Sequence, residues 1–368
     1  MLKKIKKFTR SPGVFFRDYF DKKYPKIYNE ILCPKEEESI LLKYDIEFEK
    51  KTDIKFSIDV VFTWVNDNDP QWKEKCQKYK CIDANHHGQY ATDNARFSNH
   101  NELYYSIQSV KQNIPWVNHI YIVTDNQIPE WLGKFDGVSI IDHKDIISDE
   151  FLPTFNSHVI EAHLHKINGL SEHFIYFNDD VFVARPLYPG HFFKNENITS
   201  LFLSQKSLSA MKNRGVMTPT LSASFNAKKI LKYNFDYEID APLVHTYVPL
   251  RKSMFKEVWY NYNDEISSFL SNKFRTNNDI NLATFLVPWF SYCRGNAVFT
   301  RDICYYFNIR SPVAKNYYKI LGKWSSRDAP HSFCANDFTT TKQSVSDYKL
   351  KLIEKLTSYF DYGNKKDV

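Results

Sequence analysis

The 368 residues predict an α/β fold, a mostly parallel sheet flanked by helices, with helical additions at both ends. Three observations predict it. Short apolar, β-branched runs alternate with helical periodicities from residue 57 onward. Several runs end in clusters of polar turn formers, as buried parallel strands do when they deliver loops at their carboxyl ends. Hydrophobic residues make up 43% and charged residues 25%, which supplies a packed core and excludes wholesale disorder.

Residues 1–50 read as a basic N-terminal arm and linker. Within residues 1–26, Lys3, Lys4, Lys6, Lys7, Arg10, Arg17, Lys22, Lys23 and Lys26 stand against Asp18 and Asp21, so this stretch holds much of the positive excess behind the formal +6. The remainder is near neutral, which excludes a nucleic-acid-type basic domain. Phe15, Phe16, Tyr19 and Phe20 fall at roughly helical spacing and form one apolar stripe. Such an arm suits peripheral contact with an anionic membrane, or with an acidic polymer; a solvated tail is the plain alternative. Residues 35–50 read as a charged linker or surface helix. No run approaches the roughly 18 apolar residues of a membrane span, and no apolar stretch follows the first lysines as in a secretory signal. The six cysteines form no CxxC pair, which points to reduced thiols in a cytoplasmic protein.

The main domain is expected over 51–343. Ile58 to Val65 is the first strand, and Asn66-Asp67-Asn68-Asp69-Pro70 is its turn. Helical patterning follows over 71–80 and 102–112, with strands at 119–124 and 138–142, a helix over 157–166 and a fourth strand at 173–177. The later half is less regular. Residues 201–217 read as strands with a mobile loop, 254–274 as helical, and 279–290 as a helix ending near Pro288. Residues 344–368 read as a C-terminal helix and polar tail.

The strongest local signal is the fourth strand running into Asn178-Asp179-Asp180 before Val181-Phe182-Val183. Two adjacent carboxylates between apolar segments are costly unless a cation neutralises them. A hard ion, Mg²⁺ (or Mn²⁺), does so while holding a substrate phosphate. Adjacent strand residues face opposite sides, so either the chain bends there or one carboxylate alone meets the metal. A solvated Asx turn is the alternative. His158, Glu161 and His165 sit at i, i+3 and i+7, a shared face able to take a transition metal or polar contacts. Asn156 reads as the N-cap of that helix. His245 has the chemistry of a general base and Arg275 that of a phosphate grip.

Four segments together resemble the signature regions of the Stealth family of sugar-1-phosphate transferases. The first is Ile58-Asp59-Val60-Val61-Phe62-Thr63-Trp64-Val65-Asn66-Asp67, continuing to Trp72. The second runs from Arg96-Phe97 and Asn101-Glu102 through Asn156 and Glu161 to Asp180. The third spans His245-Thr246 to Arg275, and the fourth is Phe333-Cys334-Ala335-Asn336-Asp337-Phe338. The family often has Asp-Gly-Ser where this chain has Asn66-Asp67-Asn68, and His-Thr-Pro where it has His245-Thr246-Tyr247.

The resemblance implies a Rossmann-like, GT-A-like sheet. It also implies transfer of a sugar 1-phosphate, N-acetylhexosamine 1-phosphate in the first instance, from a UDP-sugar to a hydroxyl of a growing capsular or cell-surface polysaccharide, with release of UMP. The enzyme would sit in the cytoplasm, peripheral at the inner face of a bacterial membrane. On that reading Asp180, His245 and Arg275 are catalytic, with Asp180 a competing base. Asp179, Asp180 and Asp337 hold the metal. Thr63, Trp64, Asp67, Arg96, Asn101, Asn156, Glu161, Asn178 and Asn336 contact substrate. A conventional metal-dependent glycosyltransferase releasing UDP fits the same acidic pair, and a non-catalytic carbohydrate-binding module is the reading from another class.

Overall fold

A computed structural model describes residues 8–9, 12–23, 27–49, 54–82, 88, 91–215, 217–321, 329–339 and 345–363. Much of the basic arm, including Lys3 to Lys7, Arg10 and Lys26, and the polar tail lie outside the described residues.

Eleven strands are present among the described residues: β1 (Ile58–Thr63), β2 (Ile120–Thr124), β3 (Val138–Asp142), β4 (His173–Asn178), β5 (Val181–Val183), β6 (Phe193–Asn195), β7 (Ile198–Leu201), β8 (Val248–Arg251), β9 (Ala297–Phe299), β10 (Cys304–Asn308) and β11 (Ser332–Asn336). The central sheet has the order β3-β2-β1-β4-β8. Its first four strands are parallel, and β8 runs antiparallel to β4. The expected parallel-rich sheet flanked by helices is therefore present. β1 and β4 are buried at every residue but the last, so neither shows the alternation of buried and exposed positions of a half-covered sheet. The order reverses at β1: β2 and β3 lie on one side and β4 on the other. The carboxyl ends of β1 and β4 thus form a topological switch point, where α/β sheets bind ligands.

β5 continues from β4 after two residues but belongs to a second sheet, β10-β11-β5. The chain does bend at Asp179–Asp180. A third sheet, β6-β7-β9, lies beyond. Residues 29–33, expected as part of the arm, instead pack into the domain: Ile31 is fully buried, and the Glu30 and Leu32 amides donate to the Cys304 and Leu203 carbonyls. Upstream, helix Pro12–Lys23 exposes Phe16, Tyr19 and Phe20. No helix of the described residues is long and apolar enough to cross a membrane.

Several expected elements change shape. The first strand ends at Thr63, two residues early. The helix expected over 157–166 stops at Ala162 and tightens into a 3-10 turn at Leu164–Lys166. His165 therefore leaves the face of His158 and Glu161 and stacks on Phe255, ring centroids 5.5 Å apart, so these three do not form a metal set. The region 254–274 divides into helices Lys252–Asn261 and Asn263–Ser267. Pro288 does not end its helix. A π turn, Leu282–Leu286, feeds directly into helix Val287–Cys293, so Pro288 lies within a continuous helical run. The expected mobile loop contains helix Leu208–Asn213, followed by Pro219–Asn234, which sequence reading missed.

Candidate active site

A cleft of about 870 Å³ opens over the switch point. Its floor is Asn178-Asp179-Asp180, at the end of β4 beside Thr63 of β1. Two antiparallel pairings bring the other key groups there. Because β8 runs against β4, with Val248 opposite Tyr176, the residues just before β8 reach the carboxyl end of β4, and His245 is one of them. Because β11 runs against β5, with Cys334 opposite Val181, Asn336 arrives beside the acidic turn, and the Ala335 amide donates to the Asp180 carbonyl.

The Asp180 carboxylate is held from three directions. His245 Nε2 lies 3.2 Å from Oδ1, while Asn336 Nδ2 donates to Oδ2 at 2.7 Å and the Cys334 thiol donates to the same oxygen at 3.3 Å. Burial pushes Asp180 up, but His245 and these donors outweigh it and hold it below the usual carboxylate range. Burial pulls His245 down, but Asp180 outweighs it and raises the imidazole. Asn178 Nδ2 also lies 3.2 Å from His245 Nε2, a nitrogen that bonds either this amide or Asp180 but not both at once. Asp179 behaves oppositely to Asp180: burial and then the Asp180 charge raise it to about 7. Buried Glu102 is raised well above its ordinary value by burial and then by Asp179. The cleft floor is thus a cluster of carboxylates that repel one another.

Arg275 faces the cleft from a loop fixed by a buried network. Asp279 accepts from Asn156 Nδ2 (2.9 Å), Asn272 Nδ2 (2.8 Å) and Thr276 Oγ1 (2.8 Å), and lies 2.9 Å from His158 Nδ1. Asn156 also donates to the Phe274 carbonyl at 3.2 Å. Among the described residues the partners of the guanidinium are hydroxyls, Ser157 and Thr220, which leave its charge available to an anion.

The expected site residues therefore divide. Asp179, Asp180, Asn178, His245, Arg275, Arg96, Glu161, Asn336 and Asp337 line the cleft. Thr63, Trp64, Asp67, Asn101 and Asn156 do not. The Thr63 hydroxyl pairs with that of Tyr176 at 2.9 Å, and Trp64 is packed in the core. Asp67 accepts the Asn99 amide at 3.0 Å, and Asn101 accepts from Trp131 Nε1 at 2.9 Å. Asn156 does cap its helix, as expected, and in addition holds the Arg275 loop. Asp337 has both carboxylate oxygens engaged, by Arg310 and by His100 Nε2 at 2.8 Å, which leaves it poorly placed as a metal ligand. Asp180, His245 and Cys334 each bring a ligand atom within 4.8 Å of the others. That mixed set suits a transition ion better than Mg²⁺. Burial keeps Cys334 well above the usual thiol range, so it serves as a hydrogen-bond donor and not as a thiolate. Glu102 and Tyr306 were missed: one opens an ordinary-looking helix, the other sits in an aromatic run, and neither pattern carries a signal for a cleft.

Carboxylates, an imidazole and a guanidinium converging at the switch point of a parallel-rich sheet define an α/β group-transfer enzyme. Residues 56–83 match conserved region 1 of the Stealth proteins, and residues 96–201 match conserved region 2. The capsular polysaccharide phosphotransferase LcbA of Aeromonas hydrophila is 58% identical over 342 residues, covering 92% of this chain and 95% of that one. Its namesake from Neisseria meningitidis is 54% identical over 98% of this chain and 100% of its own. An exopolysaccharide phosphotransferase of Streptomyces coelicolor is 36% identical over 84% of this chain and 52% of its own. The chain belongs to the Stealth family of polysaccharide phosphotransferases, and it is an enzyme of that class.

Proposed function

We propose that the chain transfers a sugar 1-phosphate, N-acetylhexosamine 1-phosphate in the first instance, from a UDP-sugar to a hydroxyl of a growing capsular polysaccharide, forming a phosphodiester and releasing UMP. The observation that carries this reading is the His245–Asp180 pair and Arg275 in one cleft with the acidic turn, in a chain whose relatives are named as capsular polysaccharide phosphotransferases. The acceptor hydroxyl attacks the phosphorus nearer the sugar, and the bond to the UMP oxygen breaks. His245 takes the hydroxyl proton, and Asp180 stabilises the imidazolium. Arg275 binds the transferring phosphoryl group through its planar fork. Asn336 and Cys334 hold Asp180 in register. Asp179 is the residue best suited to hold Mg²⁺, because burial and then the Asp180 charge raise its carboxyl, and the Asp180 oxygens are already engaged. When bound, that ion offsets the negative charge of the diphosphate in an acidic cleft.

The order of β1 to β4 and the acidic turn after β4 support a GT-A-like reading of the fold. The exposed aromatic residues of helix Pro12–Lys23 and the lysines around them support peripheral contact with the inner face of a bacterial membrane. Incubation with a panel of UDP-sugars, Mg²⁺ and a polysaccharide acceptor is expected to yield UMP, and phosphorus NMR a new phosphodiester. Release of UDP would overturn the reading in favour of glycosyl transfer. Turnover persisting in excess EDTA would remove the metal.

A further inference from the structure

The cleft wall that carries His245 contains three residues to which no role has been given: Glu30, Lys206 and Tyr306. They form a built arrangement. Residues 29–32 are clamped between β10 and the segment after β7: the Asn29 side chain accepts the Cys304 amide at 2.9 Å, and Gln205 Nε2 donates to the Asn29 and Ile31 carbonyls at 3.0 Å. This fixes Glu30, which is 5% exposed. Glu30 holds the Lys206 ammonium at 2.5 Å, while the Lys206 side chain stays 36% exposed to the cleft. The ammonium lies 5.6 Å from the ring centre of Tyr306, and the edge of that ring meets His245 with centroids 6.1 Å apart. Lys206 and His245 therefore flank one aromatic ring.

We propose that Glu30, Lys206 and Tyr306 form the acceptor subsite, and that its ligand is a glycan end already carrying a phosphodiester. The proposal rests on the phosphotransfer reading above. Where this transferase adds successive units itself, each product is the next acceptor, and the hydroxyl offered to His245 belongs to a sugar with an anionic phosphodiester close by. Carboxylates outnumber cations along the cleft, whose cations are Arg96, Lys206 and Arg275. An anionic chain end is repelled there unless a cation meets it beside His245, and Lys206 is the cation on that wall. One N–H of its ammonium faces Glu30, and among the described residues no second carboxylate meets it, so its other N–H groups can turn to phosphate oxygens. Glu30 keeps the long side chain from sampling other rotamers, which lowers the entropy lost on binding.

The test uses binding to the full chain, without turnover. The probes are an N-acetylhexosamine dimer joined by a phosphodiester and an O-glycosidic dimer of the same sugars, each titrated calorimetrically in the presence of UDP. The wild type is expected to prefer the phosphodiester dimer by about tenfold, the worth of one charge-assisted hydrogen bond. Lys206→Ala is expected to reduce that preference to less than twofold, with UDP affinity within twofold of wild type as the check on folding. Lys206→Arg retains the preference. A wild type that binds both dimers alike, or a Lys206→Ala protein that still prefers the phosphodiester tenfold, overturns the subsite. UMP release is scored separately, so failure of the phosphotransfer reading and failure of the subsite give different results.

Discussion

Two histidine–aspartate pairs in this molecule use the same chemistry to opposite ends. His245 and Asp180 lie 3.2 Å apart with side chains 38% and 14% exposed. His331 and Asp302 lie 2.7 Å apart with both side chains fully buried. Asp302 also accepts from Tyr247 Oη at 2.6 Å and from the Ile303 amide at 2.6 Å, and His191 Nε2 lies 3.2 Å away. Buried Arg185 donates to His331 Nε2 at 2.7 Å. In the buried pair a cation and an anion cancel through an imidazole that is bonded on both nitrogens, so it ties segments together and has nothing left for a ligand. The cleft pair keeps an open face. What separates chemistry from architecture is how completely each group is already satisfied, not which residues are present.

The comparison breaks most sharply at His245. His245→Ala is expected to lower kcat/KM by about a thousandfold or more, the scale of losing a general base, while leaving thermal unfolding essentially unchanged. Near-normal turnover in the purified variant would remove His245 from the chemistry. Asp302→Ala should behave in reverse. It strands buried partners, and urea unfolding is expected to show a loss of about 3–5 kcal/mol. A loss under about 1 kcal/mol would mean the buried pair is not a structural tie.

Acid sharpens the contrast further. Burial raises Asp302, but the two histidines outweigh it and hold it well below the usual carboxylate range. Its contribution to stability is therefore complete above its unfolded value of about 3.9 and is lost as pH falls through the lower folded value. His245 must be neutral to accept a proton, and Asp180 raises it, so activity falls as pH drops through that raised value. In Asp180→Asn, the acid limb of the residual kcat/KM profile is expected to move down by about one pH unit. An unmoved limb would show that Asp180 does not tune His245.

The smallest effect is expected at Asp337, whose oxygens are already engaged by Arg310 and His100. Asp337→Asn should change turnover by less than about threefold and cost about 1–2 kcal/mol in stability. A hundredfold fall in turnover with sharply weakened Mg²⁺ dependence would restore Asp337 as a metal ligand.

Much of the scaffold was legible in order of residues alone. β2 and the opening of β4 fall where apolar runs predict them, because a strand buried on both faces needs an unbroken apolar stretch. The acidic turn was legible because two adjacent carboxylates between such stretches need a reason. Thr63, Trp64 and Asp67 were placed in a pocket because they follow the first strand, yet neighbours claim each of them: Tyr176, the core and Asn99. Glu102, Lys206 and Tyr306 left no local signal, since each looks ordinary within its own segment.

The sequence by itself determined the α/β class, the parallel core and the acidic turn, because strand burial and like-charge repulsion act between residues close in the chain. The tertiary structure alone decided that β4 and β5 part into different sheets at Asp179–Asp180. It also decided that β8 and β11, both running antiparallel, bring His245 and Asn336 to one carboxylate. Asp180 and Asn336 are 156 residues apart in the chain and 2.7 Å apart in space. Such a contact is set by sheet register and direction, which depend on the packing of the whole domain and leave no periodicity in either segment.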